Sequence, residues 1–329
     1  MRAQRGELVG GARLMTRRVV ITGASGLLGA HVMAALNRDH DVTGVDRHPW
    51  WGDEPVRLIQ ADLEAPDLLP RIIAEADPEV VIHCAALTNV DVCERDPGRA
   101  DAVNAGLTRA IARVLAPTCL MVYISTDGVL SGQERFASEG TPPVPRTAYG
   151  RSKWRGEQAV MESTVNHLVI RTNFYGWSSG RKRTAGEWVY QSLREGRDVT
   201  LFHDVYFTPI YVVDFVDRLL ALLDQPYRGV LHVGGRDRVS KEQFGRLMAE
   251  VGRFSTAHAR SGSVEDAPLA ASRPKDTSMT SQRCEELTAL TAPSCREGLQ
   301  RFLADRERTL SQRTAAGRPK LSCSPPVEP

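Results

Sequence analysis

Hydrophobic and polar positions alternate along the first half of the chain in a regular rhythm. Val19–Thr22 is a short, wholly apolar run, as expected of a parallel strand buried on both faces. Leu27–Asn37 follows with apolar residues at helical spacing. Strand-like runs recur at Asp41–Val45, Val56–Gln60, Val80–Cys84, Leu120–Ser125 and His167–Thr172. Helical patterns separate them at Leu68–Glu75, Ala100–Leu115 and Tyr149–Glu162. A long loop rich in Gly and Pro, with Gly128, Gly132, Gly140, Pro142, Pro143 and Pro145, precedes the last of these helices. This β-α-β-α order predicts an α/β fold with a doubly wound parallel sheet, the Rossmann arrangement.

The rhythm loosens after Gly176. Helices are expected at Gly186–Arg194, Val212–Leu223, Lys241–Val251 (capped by Ser240) and Arg296–Arg306, with strands at Val199–Phe202 and Val230–Val233. The expected organisation is a flexible leader over 1–14, a dinucleotide-binding domain over 15–176 with return segments near 205–234, and a smaller C-terminal substrate-binding part over 177–204 and 235–306. A disordered tail is expected over 307–329, where Pro319, Pro325 and Pro326 lie.

Composition narrows the function classes. Of 329 residues, 42% are hydrophobic and 25% charged, an ordinary globular balance. The net charge of +2 gives no reason to expect a nucleic-acid partner. Lys is scarce beside Arg, five of the 42 basic residues. No apolar run reaches the roughly 18 residues that a membrane helix needs. The six cysteines have no C-x-x-C spacing and fit free thiols in a reducing cytoplasm, and the eight scattered His suggest no metal site.

The first strand runs into Thr22-Gly23-Ala24-Ser25-Gly26-Leu27-Leu28-Gly29. Strand, glycine turn and helix in this order make a dinucleotide site. Gly23 permits the tight turn, Gly26 lets the backbone approach a pyrophosphate, and Gly29 allows close helix–strand packing. Asp46 ends the second strand, where a carboxylate accepts ribose hydroxyls and favours NADH. Arg47 follows, leaves NADPH open and would pair with a 2′-phosphate. Asp62 and Leu63, after the third strand, are placed either to meet the adenine edge or simply to open a loop.

Tyr149 and Lys153 are four apart, on one face of a helix. With Thr126 at the end of the fifth strand they form a plausible proton-transfer set. A free Tyr titrates at ~10, and a nearby ammonium together with a cationic nicotinamide should lower it, so that Tyr149 can serve a carbonyl oxygen as hydride arrives. Thr126 would orient the same oxygen, and Lys153 would also hold the nicotinamide ribose.

These motifs, with Asn104 and Arg171-Thr172-Asn173-Phe174-Tyr175-Gly176, resemble the extended short-chain dehydrogenases/reductases. Within that superfamily the chain is similar to the dTDP-4-dehydrorhamnose reductase family. The carrying segments are His83-Cys84-Ala85-Ala86-Leu87-Thr88-Asn89-Val90-Asp91, Ser125-Thr126-Asp127, Tyr149-Gly150-Arg151-Ser152-Lys153 and Arg273-Pro274-Lys275-Asp276-Thr277-Ser278. The resemblance implies NAD(P)H-dependent reduction of the 4-keto group of a nucleotide-linked, dTDP-type 6-deoxy sugar, and a homodimer. It implies catalytic roles for Thr126, Tyr149 and Lys153, cofactor contacts at Ala85, Ala86, Thr88 and Asn104, and substrate contacts at Asp127, Asn173, Thr208 and Arg273. The chain departs from the family at Gly128, where an aromatic is usual; related dehydratases carry an acid there, so dehydration is disfavoured. Two rival readings remain: a sugar-nucleotide epimerase of the same superfamily, and a non-catalytic NAD(P)-binding regulatory subunit like that of methionine adenosyltransferase.

Overall fold

The computed structural model describes residues 16–315, apart from 53, 64–67, 164 and 180–182. The expected leader and the end of the tail lie outside the described residues. The first half reads β1 (Arg18–Thr22), α1 (Leu27–Leu36), β2 (Asp41–Asp46), β3 (Arg57–Gln60), α2 (Leu68–Ala76), β4 (Val80–His83), α3 (Val90–Arg95), α4 (Pro97–Asp101), α5 (Leu107–Val114), β5 (Leu120–Ile124), α6 (Ala148–Met161) and β6 (Asn166–Thr172). The second half reads β7 (Phe174–Tyr175), α7 (Ala185–Glu195), β8 (Val199–Phe202), β9 (Tyr206–Phe207), β10 (Ile210–Tyr211), α8 (Val212–Leu223), β11 (Gly229–Val233), β12 (Val239–Ser240), α9 (Lys241–Gly252), β13 (Ala259–Gly262), α10 (Gln282–Thr288) and α11 (Cys295–Ala315).

Seven strands form one sheet in the order β11-β6-β5-β4-β1-β2-β3, every pairing parallel. The order reverses beside β1, which opens a crevice at the carboxyl ends of β1 and β4, where α/β folds of this kind bind ligands. The central strands β1, β4 and β5 are buried almost throughout, so both faces must be covered. Alternate residues divide between two cores. Val19, Ile21, Ile82, Val122 and Ile170 pack on the side of α1 and α8. Val20, Val81, Met121 and Val169 pack with Ile111 of α5 and Val160 of α6.

Two expectations change. The single helix expected over 100–115 is three pieces: α4, a π-helical turn at Ala102–Gly106, and α5. A π turn widens the helix by one residue and sits close to functional groups; here it carries Asn104. The last helix does not stop at Arg306 but continues to Ala315, through a segment of good helix formers that includes an Arg308–Asp305 pair one turn apart. No helix among the described residues is long and apolar enough to cross a membrane.

Candidate active site

The glycine turn has the shape a pyrophosphate needs. Gly23 adopts φ +69°, and a Cβ there would come within 2.7 Å of the Ala85 nitrogen. A Cβ on Gly29 would sit 2.1 Å from the Gly23 carbonyl oxygen, so α1 can only start this close to β1 with glycine. Gly26 is the N-cap of α1, is exposed, and no side chain caps the helix. The free N–H groups and the helix dipole therefore face outward, ready for an anion. Leu28 is buried behind the turn and Leu27 is partly buried. The residues present fit a dinucleotide on these grounds.

Asp46 stands at the end of β2 with both carboxylate oxygens engaged. One accepts the Ser25 N–H at 3.0 Å and the other the His48 N–H at 2.8 Å. The loop beyond folds back over the turn: Ser25 Oγ donates to the His48 carbonyl and Trp51 Nε1 to the Ser25 carbonyl, each at 3.0 Å. This clasp was invisible in the sequence pattern. Arg47 is exposed beside it, as is Asp62, and Leu63 is buried in the core.

Ala85, Ala86 and Thr88 follow β4 at the crevice; the two alanines are partly buried and Thr88 is exposed. Asn104 reaches under this segment. Its Oδ1 accepts the Leu87 N–H at 2.8 Å, and its Nδ2 donates to the Leu87 carbonyl at 3.0 Å and to Ser152 Oγ at 2.9 Å. Both amide donors are thus spent within the protein. Asn104 positions the post-β4 loop against α6 and offers no donor of its own.

Thr126, Tyr149 and Lys153 come together where β5 ends and α6 begins. Thr147 caps α6, its hydroxyl accepting the Gly150 N–H at 3.0 Å, which fixes Tyr149 in the first turn. Lys153 is buried, its Nζ donating to the Ile124 carbonyl at 2.7 Å and lying 4.1 Å from the centre of the Tyr123 ring. Burial lowers the Lys153 ammonium to about 7, against the raising field of Glu157. The Tyr149 phenol is pushed up. Burial is the main cause, the Thr126 hydrogen bond opposes it, and the Asp127 charge adds to it. The Lys153 ammonium is turned to the β5 carbonyl.

Asp127 lies behind Thr126 and is buried. It accepts from Thr126 Oγ1 at 3.1 Å, and from Asn173 Nδ2 and Thr277 Oγ1 at 2.6 Å each. Burial raises its pKa, while these bonds and the Lys241 charge pull the other way. Asn173 is therefore at the site, joined to it through Asp127. Thr208 is fully buried, with its hydroxyl accepting the Met279 N–H at 3.2 Å. Arg273 is locked on Asp91 by bonds of 3.1 and 2.7 Å. Burial would raise the Asp91 carboxyl, but Arg273 and the Ala271 N–H outweigh it and hold the group below its usual range. The site residues that the pattern missed are Thr277 and Lys241. Their signals were faint: a Thr inside the Arg-Pro segment, and a Lys in a chain that strongly prefers Arg.

The family described as RmlD substrate binding domain matches residues 17–308. A probable low-salt glycan biosynthesis reductase, Agl14, of Haloferax volcanii is 32% identical, covering 85% of this chain and 95% of its own. The mouse methionine adenosyltransferase 2 subunit beta is 30% identical, covering 83% of each chain. Among solved structures, dTDP-4-dehydrorhamnose reductase from Bacillus anthracis in complex with NADP superposes with a TM-score of 0.80. It is 27% identical over 88% of this chain and 100% of its own.

Proposed function

Because this chain belongs to the RmlD substrate binding domain family, we propose that it is an NAD(P)H-dependent reductase of a nucleotide-linked 4-keto-6-deoxy sugar, with Tyr149 as proton donor. The observation that carries the reading is the convergence of Thr126, Tyr149 and Lys153 at the carboxyl edge of β5, beside a glycine turn with an open helix N-terminus. The NADP complex of the Bacillus anthracis relative supports the cofactor.

When bound, the reduced nicotinamide supplies hydride to the carbonyl carbon. The protein has to hold the carbonyl oxygen and neutralise the charge that grows on it. Tyr149 would present its hydroxyl to that oxygen, and Thr126 would join it on turning its hydroxyl proton from Asp127. A phenol pushed up by burial is fully protonated at neutral pH, so Tyr149 enters the reaction as an acid. Its proton passes to the oxygen as the alkoxide forms, because the alkoxide is the stronger base. Lys153, next in line on α6, would hold the nicotinamide ribose and, once its ammonium turns from the Ile124 carbonyl, would stabilise the phenolate left behind.

The test is oxidation of NADH and NADPH with enzymatically generated dTDP-4-keto-6-deoxyglucose, with and without a 3,5-epimerase. Oxidation in either mixture supports the reading, and dependence on the epimerase identifies the accepted stereochemistry. Absence of oxidation with this and other ketosugar nucleotides, while cofactor still binds, overturns it. The similarity to the methionine adenosyltransferase subunit favours a second reading, a regulatory NAD(P)-binding subunit. That reading requires co-purification with a partner enzyme and no ketone reduction.

A further inference from the structure

Lys241 is a cation in an unusual position. It is the first residue of α9, behind the Ser240 cap, and its backbone N–H donates to the Val205 carbonyl at 2.9 Å. The antiparallel pairing of Val239 with Phe207 sets the register that carries it toward the site. Its Nζ lies 3.3 Å from the centre of the Phe207 ring, and Phe207 is itself braced edge-on by Phe244. The charge that acts on it is Asp127, the carboxylate that accepts from Thr126, Asn173 and Thr277.

Its neighbours in the same region are paired. Arg238 contacts Asp276 at 2.7 Å, and Lys275 contacts Glu265 at 2.5 Å. The Lys241 ammonium makes no hydrogen bond or ion pair among the described residues, although burial depresses it to about 8. Lys241 is partly buried, so its ammonium has lost part of its water and keeps donors open to an arriving acceptor. The chain also uses Arg for nearly all its basic positions and keeps Lys here, a compact point charge over an aromatic face.

We propose that Lys241 is a specificity-determining residue of the substrate pocket, whose ammonium donates to an oxygen substituent of the sugar beside the carbonyl that Thr126 orients. The proposal rests on the reductase reading for the identity of the pocket. It gives the pocket a polar demand: a sugar with an acceptor oxygen next to the reacting carbon, on the Asp127 side.

The experiment uses the full chain saturated with NADP+. Calorimetric titrations with dTDP-rhamnose and with dTDP alone are run on the wild type, Lys241→Met and Lys241→Arg. Loss of a hydrogen bond to a charged group should weaken dTDP-rhamnose roughly 10–100-fold in Lys241→Met. The affinity for dTDP and for NADP+ should stay as in the wild type, and Lys241→Arg should recover part of the loss. In turnover, KM for the ketosugar should rise more than kcat falls. Equal affinity of Lys241→Met and wild type for dTDP-rhamnose overturns the proposal, and so does an equal loss for dTDP and dTDP-rhamnose. If the wild type binds dTDP-rhamnose but reduces no ketosugar, the reductase reading fails while the affinity ratio still decides Lys241. If the wild type binds no dTDP-rhamnose, the proposal for Lys241 is overturned and the turnover test alone decides the reductase reading.

Discussion

Glu157 and Arg171 form a fully buried ion pair, with Arg171 Nε at 3.0 and 3.2 Å from the two carboxylate oxygens and Nη2 at 2.7 Å from one of them. Glu157 is one turn beyond Lys153 on α6, and Arg171 is on β6. Glu157 also accepts from Ser125 Oγ, the residue before Thr126, at 2.5 Å. One carboxylate thus ties α6, β5 and β6 together at the point where Thr126 and Lys153 emerge. Replacing Arg171 by Met leaves that charge buried and unpaired, which should cost about 3–5 kcal/mol. Urea denaturation of Arg171→Met measures it, and a loss within a few tenths of wild type contradicts the role.

The proton-donor role makes a separable prediction. Tyr149→Phe removes the acid and little of the packing. Turnover should fall by about 10²–10⁴-fold, while NADPH affinity by fluorescence titration stays near wild type. Retained turnover would remove Tyr149 from the mechanism. Thr126→Ala should lose rate as well, by roughly 10²–10³-fold, if its hydroxyl holds the same oxygen.

The glycine turn predicts a steric outcome. A methyl group on Gly29 meets the Gly23 carbonyl at 2.1 Å and Ala24 Cα at 2.9 Å, all backbone that cannot rotate away. Gly29→Ala should destabilise the fold by roughly 1–3 kcal/mol and should displace α1 from the phosphate site, so NADPH affinity falls more than stability does. Parallel thermal melts and cofactor titrations check this. An unaltered cofactor affinity would mean that the turn is only structural.

Much of this could be read from the sequence, and the reason is physical. The buried strands β1, β4 and β5 are apolar runs bounded by turn residues, and Val212–Leu223 has an amphipathic pattern that survives in α8. The Tyr149 and Lys153 spacing follows from helical geometry alone. The π turn at Asn104 was hidden because one extra residue does not disturb an apolar period that stays buried. The strands β7, β9, β10 and β12 are two residues each and exist only through tertiary pairing, so no local pattern marks them. The sign of the Tyr149 shift depends on burial, which is not a property of spacing.

Gly128 stands where the family resemblance implies an aromatic, and its surroundings accept a Cβ. A Cβ there would lie 3.4 Å from Thr126 Oγ1 and 3.9 Å from Tyr149 Cδ1, ordinary contact distances. Gly128→Ala should therefore fold with stability within about 0.5 kcal/mol of wild type. Gly128→Tyr places a ring beside both catalytic hydroxyls and should change KM for the ketosugar with little effect on NADPH affinity. Steady-state kinetics on the two variants separate these effects; a Gly128→Tyr enzyme with wild-type KM would place residue 128 outside the sugar pocket.

His83 and His232 set the acid limit of stability. His83 bridges Thr22 and Thr108, with ring nitrogens 2.6 and 3.1 Å from their hydroxyls. His232 Nδ1 donates to the Ala137 carbonyl at 3.1 Å, and its Nε2 faces Arg171 at 3.5 Å. Burial lowers each to about 3, helped by the charge of Lys153 on His83 and of Arg171 on His232. Both are neutral when folded and ordinary when unfolded, so below pH 6.5 the unfolded chain binds protons that the folded chain refuses. Their contribution is complete above pH 6.5 and is lost as pH falls toward 3. Each gives a slope of up to about 1.4 kcal/mol per pH unit. Carboxylates held low, such as Asp91 and Glu242, act only below their ordinary values of 3.8 and 4.5, so above 4.5 the histidines are opposed only by groups held high, such as the buried Asp127 carboxyl, whose proton uptake in the folded state works the other way. Urea denaturation between pH 6.5 and 4.5 should show stability falling with acid, and His232→Gln should flatten the slope while lowering the neutral-pH value. A slope unchanged by His232→Gln would mean that His232 accepts its proton without opening the fold.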